Sequence, residues 1–214
     1  MQVGILGSGG VGQALGLGFA KLGHEVKIGT REPESEKLRP WLAKAGKKAT
    51  TGTFQETARF ADLAVLATLW TGTESAIRLA DPGNLARKVV MDVTNPLLFE
   101  SNHPPRLALG YSDSGGEQVQ RWLPHSKVVK AFNTVGSAHM VDPKFPGGPP
   151  DMFICGNDAS AKQVVAGICK SFGWGVVDAG GMEGARLLEP LCILWVHHGL
   201  QTGSWDHAFK LLHK

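Results

Sequence analysis

Apolar residues in this chain alternate between short runs, typical of buried strands, and segments with the spacing of a helix face. Val3, Ile5 and Leu6 predict a strand at the start, followed by a helix closed by Gly23 and a second strand at residues 25–28. Further strands are predicted at residues 62–68, 88–93, 127–132, 152–155 and 174–178. Helices are predicted between them at residues 38–47, 53–61, 73–80, 115–123 and 159–172. This alternation predicts an α/β Rossmann fold with a doubly wound, mostly parallel sheet.

The pattern changes after residue 178. An apolar helix is predicted at residues 185–199, and Pro190 should either kink it or mark its first turn. A last helix is predicted at residues 205–212, and residues 99–116 and 143–150 are expected to be irregular. We therefore divide the chain into a Rossmann domain, residues 1–178, and a short C-terminal helical segment, residues 179–214. That segment is expected to serve dimerisation and closure of the acceptor site.

A glycine motif links the first strand to the first helix. It spans Gly7, Ser8, Gly9, Gly10, Val11 and Gly12, and its first, third and sixth residues satisfy G-x-G-x-x-G. Gly7 permits the tight turn, Gly9 lets the backbone approach a pyrophosphate, and Gly12 lets the helix pack on the strand. The alternative is an ordinary glycine-rich turn without a ligand. The strand–turn–helix–strand context favours a dinucleotide site at the helix N-terminus.

The end of the second strand indicates which dinucleotide binds. A site that prefers NAD usually has Asp or Glu there, accepting a hydrogen bond from the ribose 2′-hydroxyl. This chain instead has Thr30 and Arg31, a hydroxyl and a guanidinium suited to a 2′-phosphate. We predict NADP(H), with Ser35 as a further contact. The alternative is a solvated arginine turned away by Glu32.

Composition excludes several other classes of function. The net charge of +3 is spread along the chain, which argues against nucleic-acid binding. No apolar run reaches the ~18–20 residues that a membrane-spanning helix needs. The three cysteines are far apart in apolar surroundings, as expected of reduced thiols in a cytoplasmic protein. His197 and His198 are adjacent and would point about 100° apart on a helix, so no metal site is predicted.

Residues at the carboxyl ends of the predicted strands are candidates for ligand contact, because open α/β sheets bind ligands there. Thr68, Leu69 and Trp70 follow one strand, and Asn95 and Pro96 follow the next. For Trp70, filling of the core is an equally open interpretation.

Four segments together resemble a known family. They read GILGSGGVGQALGLGFAKLGHEVKIGTR, ADLAVLATLW, KVVKAFNTVGSAHM and DAGGMEGARLLEPL. They are similar to the NADPH-dependent reductases of deazaflavin coenzyme, the coenzyme F420-dependent NADP oxidoreductases, and to the cytosolic domain of the six-transmembrane metalloreductases. The resemblance implies a Rossmann fold, NADPH as hydride donor and a flavin-type acceptor, flavin or deazaflavin, on the nicotinamide.

The resemblance also implies roles by position. The phosphate loop would be residues 8–11, and Thr30 and Arg31 would hold the 2′-phosphate. Ribose and pyrophosphate would lie against Thr68, Leu69 and Trp70. The nicotinamide would be flanked by Asn95, Pro96, Ala131, Phe132 and Asn133. At position 133 the deazaflavin reductases tend to have histidine, and asparagine looks more like the metalloreductase domain.

Hydride transfer between two flat rings needs positioning rather than acid–base chemistry. No convincing general acid is evident, and the catalytic candidates are Asn133 and His139. Arg186 and Glu189, three apart, are expected to form an ion pair. Trp195 lies on an apolar helix surface and is predicted to pack at a homodimer interface.

The leading hypothesis is an NADPH-dependent reductase of a planar small-molecule acceptor. A non-catalytic NADP(H)-binding redox sensor and a small dehydrogenase of a hydroxy acid or imine remain open alternatives.

Overall fold

The computed structural model of the protein describes residues 1–100, 103–212 and 214. Within these residues the strands, numbered in chain order, are β1 (Gln2–Leu6), β2 (Glu25–Gly29), β3 (Ala49–Gly52), β4 (Leu63–Leu66), β5 (Val89–Asp92), β6 (Leu97–Leu98), β7 (Arg106–Leu107), β8 (Lys127–Lys130), β9 (Asp151–Gly156) and β10 (Gly175–Asp178). The α-helices are α1 (Gly10–Lys21), α2 (Arg39–Ala45), α3 (Phe54–Phe60), α4 (Trp70–Ala80), α5 (Pro82–Leu85), α6 (Gly115–Trp122), α7 (Ala159–Ser171) and α8 (Ala185–Thr202). Short 3₁₀ turns occupy Glu36–Leu38, Ser137–His139 and Met182–Gly184.

One large sheet organises the molecule, with strand order β10, β9, β8, β5, β4, β1, β2, β3. Neighbouring strands from β8 to β3 run parallel, and β9 is antiparallel to β8. The last strand, β10, pairs parallel with β9, and β6 and β7 form a separate antiparallel ribbon. This topology confirms the predicted α/β Rossmann fold with its mostly parallel sheet.

Hydrophobic clusters cover both faces of the sheet. One face packs against α1, α2 and α7 through residues such as Phe19, Trp41 and Val165. The other packs against α3, α4, α6 and α8, with Ile77 and Leu188 among its buried residues. Burial on both faces is the reason that the parallel strands have near-continuous apolar sequences.

Most predicted elements are present, with a few differences. The strand β3 and the one-turn helix α5 were not predicted, and α4 begins at Trp70, three residues earlier than expected. The long helix α8 continues to Thr202 with Pro190 in its interior, so the proline does not mark the first turn. The ribbon of β6 and β7 lies partly within the predicted irregular segment, of which Ser101 and Asn102 fall outside the described residues.

The predicted helix at residues 205–212 is wrong. Residues 203–212 contain no helix, because the backbone of this segment pairs with a distant segment instead. The Asp151 amide donates to the Phe209 carbonyl at 2.9 Å, and the Leu211 amide donates to an Asp151 carboxylate oxygen at 2.8 Å. Tertiary hydrogen bonds and packing thus override the helical spacing of the apolar residues.

Among the described residues, no helix combines the length and apolar character needed to cross a membrane.

Candidate functional site

The glycine turn between β1 and α1 has the conformation that the motif predicts. Gly7 has a φ of +127°, in a region that side chains disfavour, and a Cβ there would collide with the Ala67 carbonyl. A Cβ at Gly12 would collide with the Gly7 carbonyl, because the helix packs closely on the turn. These two glycines are therefore required by the turn itself.

Gly9 is different, because the space around it is open. A Cβ at Gly9 would meet no atom within 4 Å, and the residue is exposed at the N-terminus of α1. Within the described part of the chain no side chain caps this end of the helix, and its first turn contains no acidic residue. The first amide groups of α1 and the positive end of its dipole are thus available to an anion outside the protein.

The end of β2 lies beside this turn. The Ser8 hydroxyl donates to the Thr30 hydroxyl at 3.3 Å, which joins the phosphate loop to the predicted 2′-phosphate residues. Arg31 is exposed, and within the described residues it forms no ion pair, so Glu32 does not hold it away. Ser35 follows in the same loop and is half-buried. Hydroxyl and guanidinium groups are thus gathered at this corner.

Three predicted site residues follow β4. The hydroxyl of Thr68 lies 2.9 Å from that of Thr73 in α4, which orders the turn. Leu69 projects into solvent with 79% of its surface exposed. Trp70 is half-buried and stacks on Trp122 of α6, with ring centroids 5.6 Å apart. Trp70 therefore packs between α4 and α6 at the edge of the hydrophobic core, with part of its surface open to solvent.

Asn95 and Asn133 tie together the ends of β5 and β8. The Asn95 amide donates to the Asn133 carbonyl at 2.9 Å, and the Asn133 amide donates to the Asn95 side-chain oxygen at 3.1 Å. Asn133 also donates to the Leu188 carbonyl of α8 at 2.8 Å and is only 2% exposed. The side-chain oxygen of Asn133 is buried and has no hydrogen-bond partner among the described residues. Asn133 therefore fixes the positions of these strand ends and of α8.

The side chain of Phe132 is placed differently from the prediction. It packs against Phe172 and Trp174 in the core and is 1% exposed, and Ala131 is fully buried. The φ of Phe132 is +56°, a left-handed conformation that turns the chain at the end of β8. The side chain of Phe132 thus serves packing, while Pro96 and Asn95 remain at the strand edge.

His139, the second catalytic candidate, contacts the C-terminal segment. Its Nε2 lies 2.8 Å from an Asp206 carboxylate oxygen, and its ring packs on Phe145 with centroids 5.1 Å apart. The neighbouring Ser137 is close to the glycine turn, since a Cβ at Gly10 would lie 3.8 Å from its hydroxyl. The loop of His139 therefore borders the phosphate loop, although the imidazole itself is engaged elsewhere.

A buried ionic cluster beneath the strand ends was not predicted. Lys130, the last residue of β8, lies 2.9 Å from Asp92 of β5 and 3.1 Å from Glu189 of α8. All three side chains are at most 1% exposed. Lys130 also donates to the Thr94 carbonyl at 2.8 Å, and Glu189 accepts from the amides of Gly115 and Gly116 at 2.9 Å each. The cluster thus fastens α8 to α6 and to the centre of the sheet.

Burial alone would lower the pKa of Lys130, but the carboxylates of Asp92 and Glu189 outweigh it and raise that pKa above its usual value. The two carboxylates therefore favour the charged form of Lys130.

The prediction of an ion pair between Arg186 and Glu189 is wrong. Arg186 binds Glu117 of α6 through two hydrogen bonds, and Glu189 turns inward to Lys130. The hydrogen bonds from Arg186 lower the pKa of Glu117, although burial opposes the shift. Arg186 and Glu189 thus contact different partners, because α8 packs against both α6 and the sheet.

Trp195 is covered by its own chain, so its predicted place in a homodimer interface is wrong. It is 6% exposed, and its ring stacks on His207 at 4.7 Å and packs on Trp205 at 5.2 Å. Its indole nitrogen donates to the His207 carbonyl at 2.9 Å. The C-terminal segment therefore buries the surface that helix α8 alone leaves open.

The three cysteines are free and buried, as predicted. Burial raises the pKa of Cys155, Cys169 and Cys192 to about 12. Among the described residues, no group of three His, Cys, Asp or Glu side chains is placed to hold a metal ion.

A sequence signal for the ionic cluster existed. Asp92 ends the apolar strand β5, Lys130 follows two valines in β8, and Glu189 interrupts an apolar helix. Charges in such positions are rarely buried unless they are paired. What the sequence does not contain is the pairing, because the three residues lie far apart along the chain.

Comparison with known proteins identifies relatives. A family model described as "NADP oxidoreductase coenzyme F420-dependent" matches residues 2–96. The F420-dependent NADP reductase of Methanocaldococcus jannaschii is 31% identical over 99% of this chain and 98% of its own length. A crystal structure assigned provisionally to an F420-dependent NADP-reductase of Arthrobacter sp. FB24 shares 38% identity, with a TM-score of 0.94 and full coverage of both chains.

Metalloreductase STEAP3 of Rattus norvegicus is also similar, with 31% identity over 89% of this chain. The chain spans only 36% of the length of that protein.

Proposed function

The chain belongs to the family of coenzyme F420-dependent NADP oxidoreductases, and on that basis we propose that it transfers a hydride between NADP(H) and a planar flavin-type acceptor, deazaflavin or flavin. Family membership makes it an NADP-dependent oxidoreductase. The observation that carries the proposal is the open N-terminus of α1 beside Thr30 and Arg31.

The glycine turn fits the diphosphate of a dinucleotide. The amides at the start of α1 have no side-chain cap, and the missing side chain at Gly9 leaves space on the outside of the turn. Oriented amides and the helix dipole stabilise a phosphate at such an end. Residues 8–11 would hold the diphosphate of NADP(H).

The corner next to it fits a 2′-phosphate. Thr30 offers a hydroxyl, and the exposed guanidinium of Arg31 has no carboxylate partner among the described residues. A guanidinium and a phosphate form two parallel, charge-assisted hydrogen bonds. We infer a preference for NADP(H) over NAD(H), with Ser35 as an additional contact.

The reaction is a transfer of two electrons and one hydrogen. The bond between C4 and its hydrogen in the reduced nicotinamide breaks, the hydride passes with its electron pair to the acceptor ring, and a solvent proton completes the reduced acceptor. The chain contributes position and exclusion of water. Thr68, Leu69, Asn95 and Pro96 would line the slot in which the two rings meet, and the Asn95–Asn133 pair holds the strand ends fixed.

Reduction of a hydroxy acid's keto form or of an imine would require a proton donor near C4. Lys130, which is close to this edge, is fully buried and paired with two carboxylates. Asn133 is buried against α8, and His139 faces Asp206. These contacts favour a planar acceptor, which is reduced without a protein acid.

We also propose that two copies associate through α8 and that residues 179–214 close the acceptor site. Support comes from Leu187 and Leu194, which lie seven apart on α8 and are 70% and 55% exposed. The partner would then cover these leucines rather than Trp195.

Oxidation of NADPH, followed by the loss of nicotinamide absorbance, tests the proposal. The purified protein is offered riboflavin, FMN, the deazaflavin F420 and menadione in turn, with NADH as the alternative donor. We expect turnover of at least one flavin-type acceptor with NADPH and much slower turnover with NADH.

If no acceptor is reduced, equilibrium dialysis measures whether the folded protein still binds NADPH. Tight binding without turnover of any acceptor would favour the redox sensor. The absence of NADPH binding in folded protein would overturn the proposal altogether.

A further inference from the structure

Thr94, two positions after the end of β5, is buried and held by charged side chains from two strands. Its amide and its hydroxyl both donate to the same carboxylate oxygen of Asp92, at 3.0 and 2.7 Å. Its carbonyl accepts from the ammonium group of Lys130 at 2.8 Å. Thr94 is 2% exposed, and Asp92 and Lys130 are fully buried. These contacts are therefore shielded from water, which strengthens them and restricts the backbone of Thr94.

The groups that hold Thr94 are themselves fixed. The second carboxylate oxygen of Asp92 lies 2.9 Å from Lys130, and Lys130 lies 3.1 Å from Glu189. An amide and a carbonyl are present in almost every residue, whereas a hydroxyl this close to the backbone requires Ser or Thr. The hydroxyl is therefore the contact with the ionic cluster that depends on the residue type at position 94.

Asn95 and Pro96, which would line the slot for the two rings, come directly after Thr94. The side chain of Asn95 is paired with Asn133, and its carbonyl accepts from the Leu97 amide at 2.8 Å. The ring of Pro96 packs on the first turn of α6, because a Cβ at Gly115 would lie 3.2 Å from it. The turn of Asn95 and Pro96 is thus held on the far side by β8 and α6, and on the near side by Thr94.

We propose that Thr94 is a positioning residue for hydride transfer, whose hydroxyl, through Asp92, fixes the turn of Asn95 and Pro96 against which the nicotinamide would lie. The inference rests on the proposed function. Hydride transfer requires reacting atoms ~3–3.5 Å apart, and a misplacement of about 1 Å can cost about 100-fold in rate. The affinity for NADPH depends instead on its phosphates, at the glycine turn and Arg31. Thr94 should therefore affect kcat much more than binding.

The first test removes the hydroxyl and keeps the shape of the side chain. Thr94→Val should lower kcat about fivefold, because the turn loses one buried hydrogen bond. The dissociation constant of NADPH, measured by equilibrium dialysis, should stay within about twofold. Thr94→Ser retains the hydroxyl and should restore most of kcat. Thr94→Ala, which places no methyl group beside Asp92, replaces the valine variant if that variant does not fold.

Thr57 provides the matched control. It is fully buried in α3, and its hydroxyl has no hydrogen-bond partner among the described residues. Thr57→Val makes the same chemical change without removing a hydrogen bond. It should therefore leave kcat and the affinity for NADPH within about twofold of the wild type.

The second test needs neither NADPH nor an acceptor. Hydrogen exchange of the Leu97 amide, followed by NMR, reports on the turn because this amide donates to the Asn95 carbonyl. Exchange should be about tenfold faster in Thr94→Val and close to wild type in Thr94→Ser. The Ala67 amide, which donates to the Leu6 carbonyl at 2.9 Å, should keep its rate, since only a general loss of stability would accelerate both.

Failure of the inference is distinguishable from failure of the proposed function. A Thr94→Val variant with the kcat of the wild type would overturn the inference, as would equal losses of kcat and NADPH affinity or faster exchange at Ala67 as well as Leu97. If the wild-type protein reduces no acceptor, the proposed function fails and exchange alone decides. Faster exchange confined to Leu97 and reversed by serine would then support the role of Thr94, and an unchanged rate would overturn it.

Discussion

Two positively charged residues, Arg31 and Lys130, lie in very different surroundings, and the effects of replacing them should differ accordingly. Arg31 is exposed and held by no ion pair among the described residues, so its guanidinium is available to a phosphate. Lys130 is fully buried, and its charge already has two partners. Replacement of Arg31 should therefore weaken ligand binding, whereas replacement of Lys130 should lower the stability of the fold.

Replacement of Arg31 tests the choice of cofactor. Arg31→Ala should raise the KM for NADPH at least about tenfold, since a charge-assisted hydrogen bond contributes about 1.5–3 kcal/mol. The KM for NADH, which has no 2′-phosphate, should hardly change. Arg39→Ala removes an exposed arginine that pairs with Glu36 and serves as the control. An equal loss for both dinucleotides would refute the assignment.

Replacement of Lys130 tests the ionic cluster. Lys130→Met should lower the free energy of unfolding by about 3–5 kcal/mol, because Asp92 and Glu189 would stay buried without their cation. Lys127→Met removes a lysine that is 40% exposed and should cost less than about 1 kcal/mol. Denaturant titration measures both, and equal losses would show that the buried charges are not coupled as described.

At the scale of whole elements, structure that depends on the local sequence was predictable, whereas structure that depends on contacts between distant residues was not. The glycine turn was predictable because all its determinants lie within residues 7–12, and β4 because its four residues are apolar and buried. The short edge strand β3, with sequence ATTG, has no comparable pattern and takes its structure from pairing with β2. The ionic cluster of Lys130, Asp92 and Glu189 could not be predicted from the sequence, because its members belong to three separate elements.

The C-terminal segment shows the opposite error, because its local sequence pattern predicts a helix that distant contacts prevent. Its apolar spacing suggested a helix, yet residues 205–212 are not helical and their backbone bonds to Asp151. Trp205 packs on Trp195 and so closely on Gly199 that a Cβ there would collide with the indole. A pattern within the segment does not reveal these partners.

Trp205→Ala should therefore lower the free energy of unfolding by about 2 kcal/mol, since it uncovers Trp195 and removes an aromatic contact. Leu212→Ala, at a position 79% exposed in the same segment, should change it by less than about 0.5 kcal/mol. Chemical denaturation followed by far-UV circular dichroism compares them. Equal stability of the two variants would mean that the segment is not docked on α8.

At the scale of the whole molecule, the outward face of α8 is not covered by the described residues. Helix α8 is fastened inward by Glu189 and Asn133, and its outward face carries Leu187 and Leu194 in the open. An apolar stripe on a firmly held helix is suited to a second copy of the same chain.

Leu194→Glu should therefore convert a dimer to a monomer in analytical ultracentrifugation, because a charge would be placed in an apolar contact. If the partner closes the acceptor site, the monomer should lose kcat/KM for the acceptor while binding NADPH as before. Leu79→Glu, at a leucine of α4 that is 51% exposed, is the matched control and should change neither property. A wild-type protein that sediments as a monomer and still reduces its acceptor would show that one subunit forms the complete site.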